Sequence, residues 1–131
     1  MSFDFTVSDV IPATPEEIYA AWLDGAGHAG MTGGKRAEAG AAVGDRFTAH
    51  DGYISGENLV LEPGRRIVQS WRTTRFAADD PDSRIEVTLE PVPGGTHATL
   101  IHSGVPDGHT GYQDGGWQHN YFDQMKRYFS K

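Results

Sequence analysis

Trp117-Gln-His-Asn-Tyr-Phe-Asp-Gln-Met-Lys-Arg-Tyr-Phe-Ser130 stands at the end of the 131-residue sequence, and its spacing is helical. At about 100° per residue, Trp117, Tyr121, Phe122, Met125, Tyr128 and Phe129 share an arc of roughly 140°. His119, Asp123, Lys126 and Arg127 take the other side, and cations near the C-terminal end suit the helix dipole. With a rise of ~1.5 Å per residue the segment is roughly 20 Å long, enough to cross a sheet. A helix with so apolar a face has to be covered.

The preceding residues supply the cover. Arg84-Ile-Glu-Val-Thr-Leu-Glu90 alternates strictly, with Ile85, Val87 and Leu89 inward, as in an antiparallel sheet wet on one face. Pro93-Gly94-Gly95 turns into a last strand, Thr96 to Ser103. Further back, Arg66 to Thr74 reads as a strand after the turn Pro63-Gly64, with Leu59-Val-Leu61 before it. Phe47-Thr-Ala-His50 and Tyr53-Ile-Ser55 flank Asp51-Gly52, a strong hairpin signal. Phe76 to Asp82 is an acidic loop.

At the other end, Phe3 to Ile11 reads as a strand with Phe3, Phe5 and Val7 on one face, ended by Pro12. Thr14-Pro15-Glu16-Glu17 then starts a helix: Thr14 caps the amide of Glu17, Glu17 reaches back, and Pro15 fits the first helical position. Ile18, Ala21 and Trp22 follow at helical spacing until Gly25, and Ala26 to Thr32 suggests a second short helix. The order predicts an α+β fold over residues 1–131 as a single domain. A curved antiparallel sheet carries short N-terminal helices, and the long terminal helix lies across its concave face: the helix-grip layout.

Composition narrows the function. Eleven Lys+Arg against 18 Asp+Glu give a formal net charge of −7, which opposes nucleic-acid binding and anionic membranes. There is no cysteine, hence no disulfide, no thiolate nucleophile and no Cys-ligated zinc. The N-terminus lacks a secretory signal and no run approaches the ~20 apolar residues of a membrane span. A cytoplasmic setting is the default expectation.

Gly25-Ala-Gly27-His-Ala-Gly30 matches the letters of the dinucleotide fingerprint, but it follows a helix where the mechanism needs a strand, so it reads as a helix stop. The six histidines, His28, His50, His97, His102, His109 and His119, show no metal-ligand spacing. No metal or cofactor is expected. Gly52-Tyr-Ile-Ser55-Gly56 is not a nucleophile elbow, and no acid–base–nucleophile set emerges from spacing. Catalysis is therefore the weaker expectation.

Two polar residues interrupt apolar faces. Gln118 falls at about 100° on the helical wheel, between Met125 and Phe129. It reads either as a first-turn residue reaching water or as a polar anchor at a cavity mouth. His102 shares a strand face with Ala98 and Leu100, and Trp71 shares one with Ile67 and Gln69.

Several segments together resemble the C-terminal domain of activators of the ninety-kilodalton heat-shock chaperone's ATPase, within the START-related, Bet-v-1-like superfamily. They are Pro15-Glu-Glu-Ile-Tyr-Ala-Ala-Trp22, Val43-Gly-Asp-Arg-Phe47, Asp51-Gly-Tyr-Ile-Ser-Gly56, Leu61-Glu-Pro-Gly-Arg-Arg-Ile-Val-Gln-Ser-Trp-Arg72, Gly104-Val-Pro106 and Gly116 to Phe129. The resemblance implies a helix-grip fold with a ligand cavity under the terminal helix. It departs from its relatives at Asp107 to Gly116, where glycines replace charged helix formers and leave helix or loop open. Eukaryotic activators carry an additional N-terminal domain that engages the chaperone, for which these residues have no room.

The leading expectation is a non-enzymatic binding domain for a small hydrophobic molecule. Its walls would come from Trp117, Tyr121 and Met125 on the terminal helix, Trp22 on the first helix, and Trp71 and His102 on the sheet, with Gln118 as polar anchor. Such pockets orient ligands by a few polar contacts in an apolar wall. One alternative, implied by the resemblance, is a protein-interaction module linked to chaperone ATPase regulation. The other is a superfamily enzyme such as a cyclase or hydrolase.

Overall fold

The computed structural model describes residues 2–31, 37–49, 52–76, 79–106 and 117–129. Strand β1 (Ser2–Ile11) leads into helices α1 (Pro15–Trp22) and α2 (Gly25–Met31). Strands β2 (Arg46–Ala49), β3 (Ile54–Glu62), β4 (Arg66–Thr73), β5 (Ser83–Val92) and β6 (Gly95–Pro106) follow. The chain then enters a π-helical turn (Gln118–Phe122) that runs into helix α3 (Asp123–Phe129). The six strands form one antiparallel, curved sheet in the order β1-β6-β5-β4-β3-β2, so the first strand sits beside the last.

Local chemistry accounts for the element ends. At α1 the predicted capping box is formed: the Glu17 amide donates to Thr14 Oγ1 at 3.1 Å and the Thr14 amide donates to Glu17 Oε1 at 2.9 Å. Asp24 starts α2, its Oδ2 accepting from the Gly27 amide at 2.8 Å, so Gly25 opens a helix as well as following one. In β5, Ile85, Val87 and Leu89 are buried and Arg84 and Glu90 exposed, as the alternation requires. The β2–β3 register pairs Ala49 with Ile54. Tyr53, expected in the strand, therefore lies in the turn, where Gly52 takes a positive φ of 89°.

The fingerprint-like glycines are packing devices. A Cβ on Gly27 would lie 3.0 Å from Ala21 Cα, and one on Gly30 would lie 2.9 Å from the ring of Tyr128. They let α2 lie close to α1 and to the terminal helix. Tyr128 was expected to face the sheet; it is half-buried and turned toward α2 instead.

The regular α-helix expected from Trp117 onward is also modified. The Asp123 amide donates to the Gln118 carbonyl, an i→i+5 bond, so the first described turn is a π turn. An extra residue in that turn changes the angular positions that a regular wheel assigns. Asp107 to Gly116 lies outside the described residues.

Candidate functional site

The concave side of the sheet holds a chain of aromatic rings. Trp22 meets Tyr121 at 5.2 Å between centroids, and Tyr121 meets Trp117 at 4.6 Å. Trp117 meets Trp71 at 5.4 Å, and Trp71 meets His102 at 4.7 Å. Met125 is fully buried in the same cluster. Six of the seven sequence-predicted site residues are thus gathered on one interior surface, each buried. The seventh, Gln118, is half-buried at the rim.

The polar tips of this surface are spent on one another. The Trp117 indole N–H donates to His102 Nδ1 at 3.1 Å. An indole nitrogen only donates, so Nδ1 carries no proton and the ring proton sits on Nε2. Nε2–H faces Ser83 Oγ at 2.8 Å, and the Ser83 hydroxyl donates onward to the Trp71 carbonyl at 2.6 Å. Burial pushes the His102 imidazole down to about 3, with Asp4 pulling weakly the other way. His102 is neutral, and its single N–H points at a lone pair of Ser83 Oγ, the wrong sense for a general base. This serine–histidine contact is structural.

A second buried histidine ties α2 to the terminal helix. His28 Nδ1–H donates to the Trp22 carbonyl at 2.9 Å, which leaves Nε2 to accept from the Tyr121 hydroxyl at 2.9 Å. Burial pushes the Tyr121 phenol up, so it keeps its proton. A third line runs from α1 through the sheet: Trp22 Nε1 donates to Gln69 Oε1 at 3.1 Å, and Gln69 Nε2 donates to Asn58 Oδ1 at 2.8 Å. Asn58 Nδ2 donates to the carbonyls of Gly40 and Ala42 at 2.8 and 3.0 Å. Among the described residues, no buried side-chain nitrogen or oxygen lacks a partner.

Gln118 belongs to a different feature. Its Nε2 donates to Asp9 Oδ2 at 2.7 Å and to Asp123 Oδ1 at 2.9 Å, while Lys126 Nζ donates to the same Asp9 oxygen at 2.8 Å. The π turn brings the amide over β1 instead of into the aromatic interior. Burial alone would push the Asp9 carboxyl up. The hydrogen bonds from Lys126, Gln118 and the Val10 amide, with the Lys126 charge, outweigh it and hold Asp9 below its ordinary value. The terminal helix is therefore clasped to the edge strand by one carboxylate.

Sequence reasoning missed His28, Ser83, Gln69 and Asn58. Gln69 had a readable signal, since it alternates with Ile67 and Trp71 on the buried face of β4. His28 had none, because its partner Tyr121 is remote in the sequence. Among the described residues no three His, Cys, Asp or Glu are grouped to hold a metal ion, and no helix is long and apolar enough to cross a membrane.

Comparison with known proteins fits this architecture. The family model described as Activator of Hsp90 ATPase homolog 1-like protein matches residues 12–130. An Activator of 90 kDa heat shock protein ATPase homolog from Dictyostelium discoideum is 32% identical over 89 residues, 66% of this chain and 23% of that protein. The homolog 2 of the same name from Mus musculus is 31% identical over 83 residues, 63% of this chain and 25% of that protein. The chain thus spans about a quarter of the length of these curated relatives. The crystal structure of an HSP90 activator from Plasmodium falciparum superposes with a TM-score of 0.88 at 22% identity, over 98% of this chain and 96% of that one, a likeness of fold. A Mesorhizobium loti protein gives a TM-score of 0.78 at 26% identity, over 97% and 96%. With nearly its whole length matched and the antiparallel sheet shared, the chain belongs to the Activator of Hsp90 ATPase homolog 1-like protein family.

Proposed function

We propose that residues 1–131 act as one protein-interaction domain that regulates an Hsp90-type chaperone ATPase. Its relatives are named as activators of that ATPase. The observation that carries the reading is the saturation of the interior: the polar tips of Trp22, Trp117, Tyr121 and His102 are bonded within the protein. A wall with no spare donor or acceptor gives a ligand little to orient on, which favours work done at the surface. The test is to add the purified chain to its host's Hsp90-type chaperone and follow ATP hydrolysis and association. The expected result is saturable binding with a changed hydrolysis rate. No binding, with the hydrolysis rate unmoved, overturns the proposal.

A second reading keeps the small hydrophobic molecule under the terminal helix, between Trp22, Trp71, His102, Trp117, Tyr121 and Met125, with Gln118 at the rim. It is favoured by the gathering of three indoles, a phenol and a thioether on one concave surface, the composition of an apolar pocket. Met125→Trp separates a filled interior from a hollow one. Overpacking a filled core costs ~1–3 kcal/mol, whereas plugging a cavity leaves stability level or raised and abolishes binding of an apolar fluorescent probe. Under the chaperone reading, the expected outcome is the destabilised variant, from a wild type that does not take up the probe.

A further inference from the structure

Away from the aromatic interior, at the end of the sheet where α1 begins, the surface folds into a groove of about 620 Å³. Its walls come from the start of α1 (Pro15, Glu16), the β3–β4 turn (Gly64, Arg65), and the ends of β5 and β6 (Glu90, His97). Its floor is a row set by register: Glu62 pairs with Arg66, Arg66 with Thr88, and Thr88 with Thr99. The Gly64 turn is fixed by its positive φ of 71°, and the Leu89 amide donates to the Arg65 carbonyl at 2.8 Å. These are rigid elements, so the groove is preformed.

The charges here divide into spent and unspent. Arg66 is consumed, donating to Glu86 at 2.6 Å and to Glu62 at 3.1 Å. Glu16, Glu90 and Arg65 make no ion pair among the described residues. The unspent charge is thus two carboxylates against one guanidinium, on a chain whose formal net charge is −7. Small-molecule sites are mostly apolar, with a few polar groups. Here apolar Pro15, Leu89 and Pro91 stand beside hydroxyls, an imidazole and unpaired charges in nearly equal share, the make-up of a protein–protein interface, where complementary potentials set the partner and the approach.

We infer that this groove receives a basic segment of the chaperone partner, its Lys or Arg side chains meeting Glu16 and Glu90. The inference rests on the chaperone reading and adds to it a surface and a partner chemistry. Thr88, Thr99 and His97 offer hydrogen bonds to the segment's backbone, and Arg65 opposes its charge.

The experiment measures association of the full chain with its host's Hsp90-type chaperone at low and at physiological salt. Glu16→Lys with Glu90→Lys should weaken association roughly three- to tenfold at low salt, as expected for two partly exposed charge pairs. Arg65→Glu should tighten it by about twofold on the same scale. Asp79→Lys, at the far end of the sheet, makes the same charge change as Glu16→Lys or Glu90→Lys alone and, set against each of those single variants, should change association least. Circular dichroism verifies the fold of each variant, and a tightening by Arg65→Glu cannot come from damage. If the wild type binds and the single variants match Asp79→Lys, the groove inference falls and the chaperone reading stands. If Arg65→Glu weakens binding, the basic occupant is wrong. If the wild type does not bind, both fall together.

Discussion

On the concave side of the sheet, Trp117 donates to His102, His102 to Ser83 and Ser83 to the Trp71 carbonyl, so each donor in the line has its acceptor. At the end of the same sheet, Glu16, Glu90 and Arg65 line a groove with their charges unpaired among the described residues. The two regions share strands β4, β5 and β6, and alternate residues of each serve one or the other. The difference follows from solvent. A buried donor without an acceptor costs about 1–3 kcal/mol, so the interior closes on itself, whereas an exposed charge left unpaired costs little. The first region holds the fold in one arrangement, and the second keeps its charges available for a partner.

The strongest way to break this contrast is to remove part of the interior. Trp71→Ala deletes the ring between Trp117 and His102 and should cost ~3–5 kcal/mol, read by chemical denaturation, if the interior is filled. A loss under ~1 kcal/mol would mean that Trp71 borders empty space, and the contrast would have to be redrawn.

Acid sharpens it. The folded His102 ring takes a proton only near pH 3, while an unfolded histidine takes one near 6.5. Between those values the unfolded chain binds more protons, so stability rises with pH there. The stability from burying neutral His102 is complete above pH 6.5 and drains as pH falls toward 3. Urea midpoints should therefore drop steadily between pH 7 and 4. His102→Gln, less stable at neutral pH, should drop less across that interval. Equal slopes would show that His102 is not the group responsible.

The smallest effect is expected at the clasp. Asp9→Asn should cost about 1 kcal/mol, since the side chains of Asp9 and Lys126 are 24% and 41% exposed and water screens the pair. Hydrogen exchange should accelerate in Gln118–Phe129 more than in β5. Uniform acceleration would mean that Asp9 supports the whole fold and not the terminal helix.

Much of the architecture was legible because it depends on local signals. Thr14 and Glu17 are three residues apart, and the inward set of β5 follows from period two. The gathering of Trp22, Trp71, His102, Trp117, Tyr121 and Met125 also followed, once each was placed on the apolar face of its own element. What was not legible depends on distance. His28 and Tyr121 find each other across 93 residues, and the glycines of α2 answer to Ala21 and Tyr128 rather than to a nucleotide. The partners of Gln118 were hidden for a subtler reason. A regular wheel puts it among apolar residues, but a single π turn and a carboxylate on β1 redirect it.

The pairing of β1 with β6 bears on how the protein is made. Ser2 is matched to Pro106 and Ile11 to Thr96, so β1 leaves the ribosome well before β6, the strand it pairs with. Until then Phe3, Phe5 and Val7 present an apolar strand face with unpaired backbone groups, the kind of edge on which nascent chains associate wrongly. Contacts so far apart in sequence also slow folding. Strands β2 to β6 pair in sequence order, so the docking of β1 on β6 is the one long-range strand pairing among the described residues.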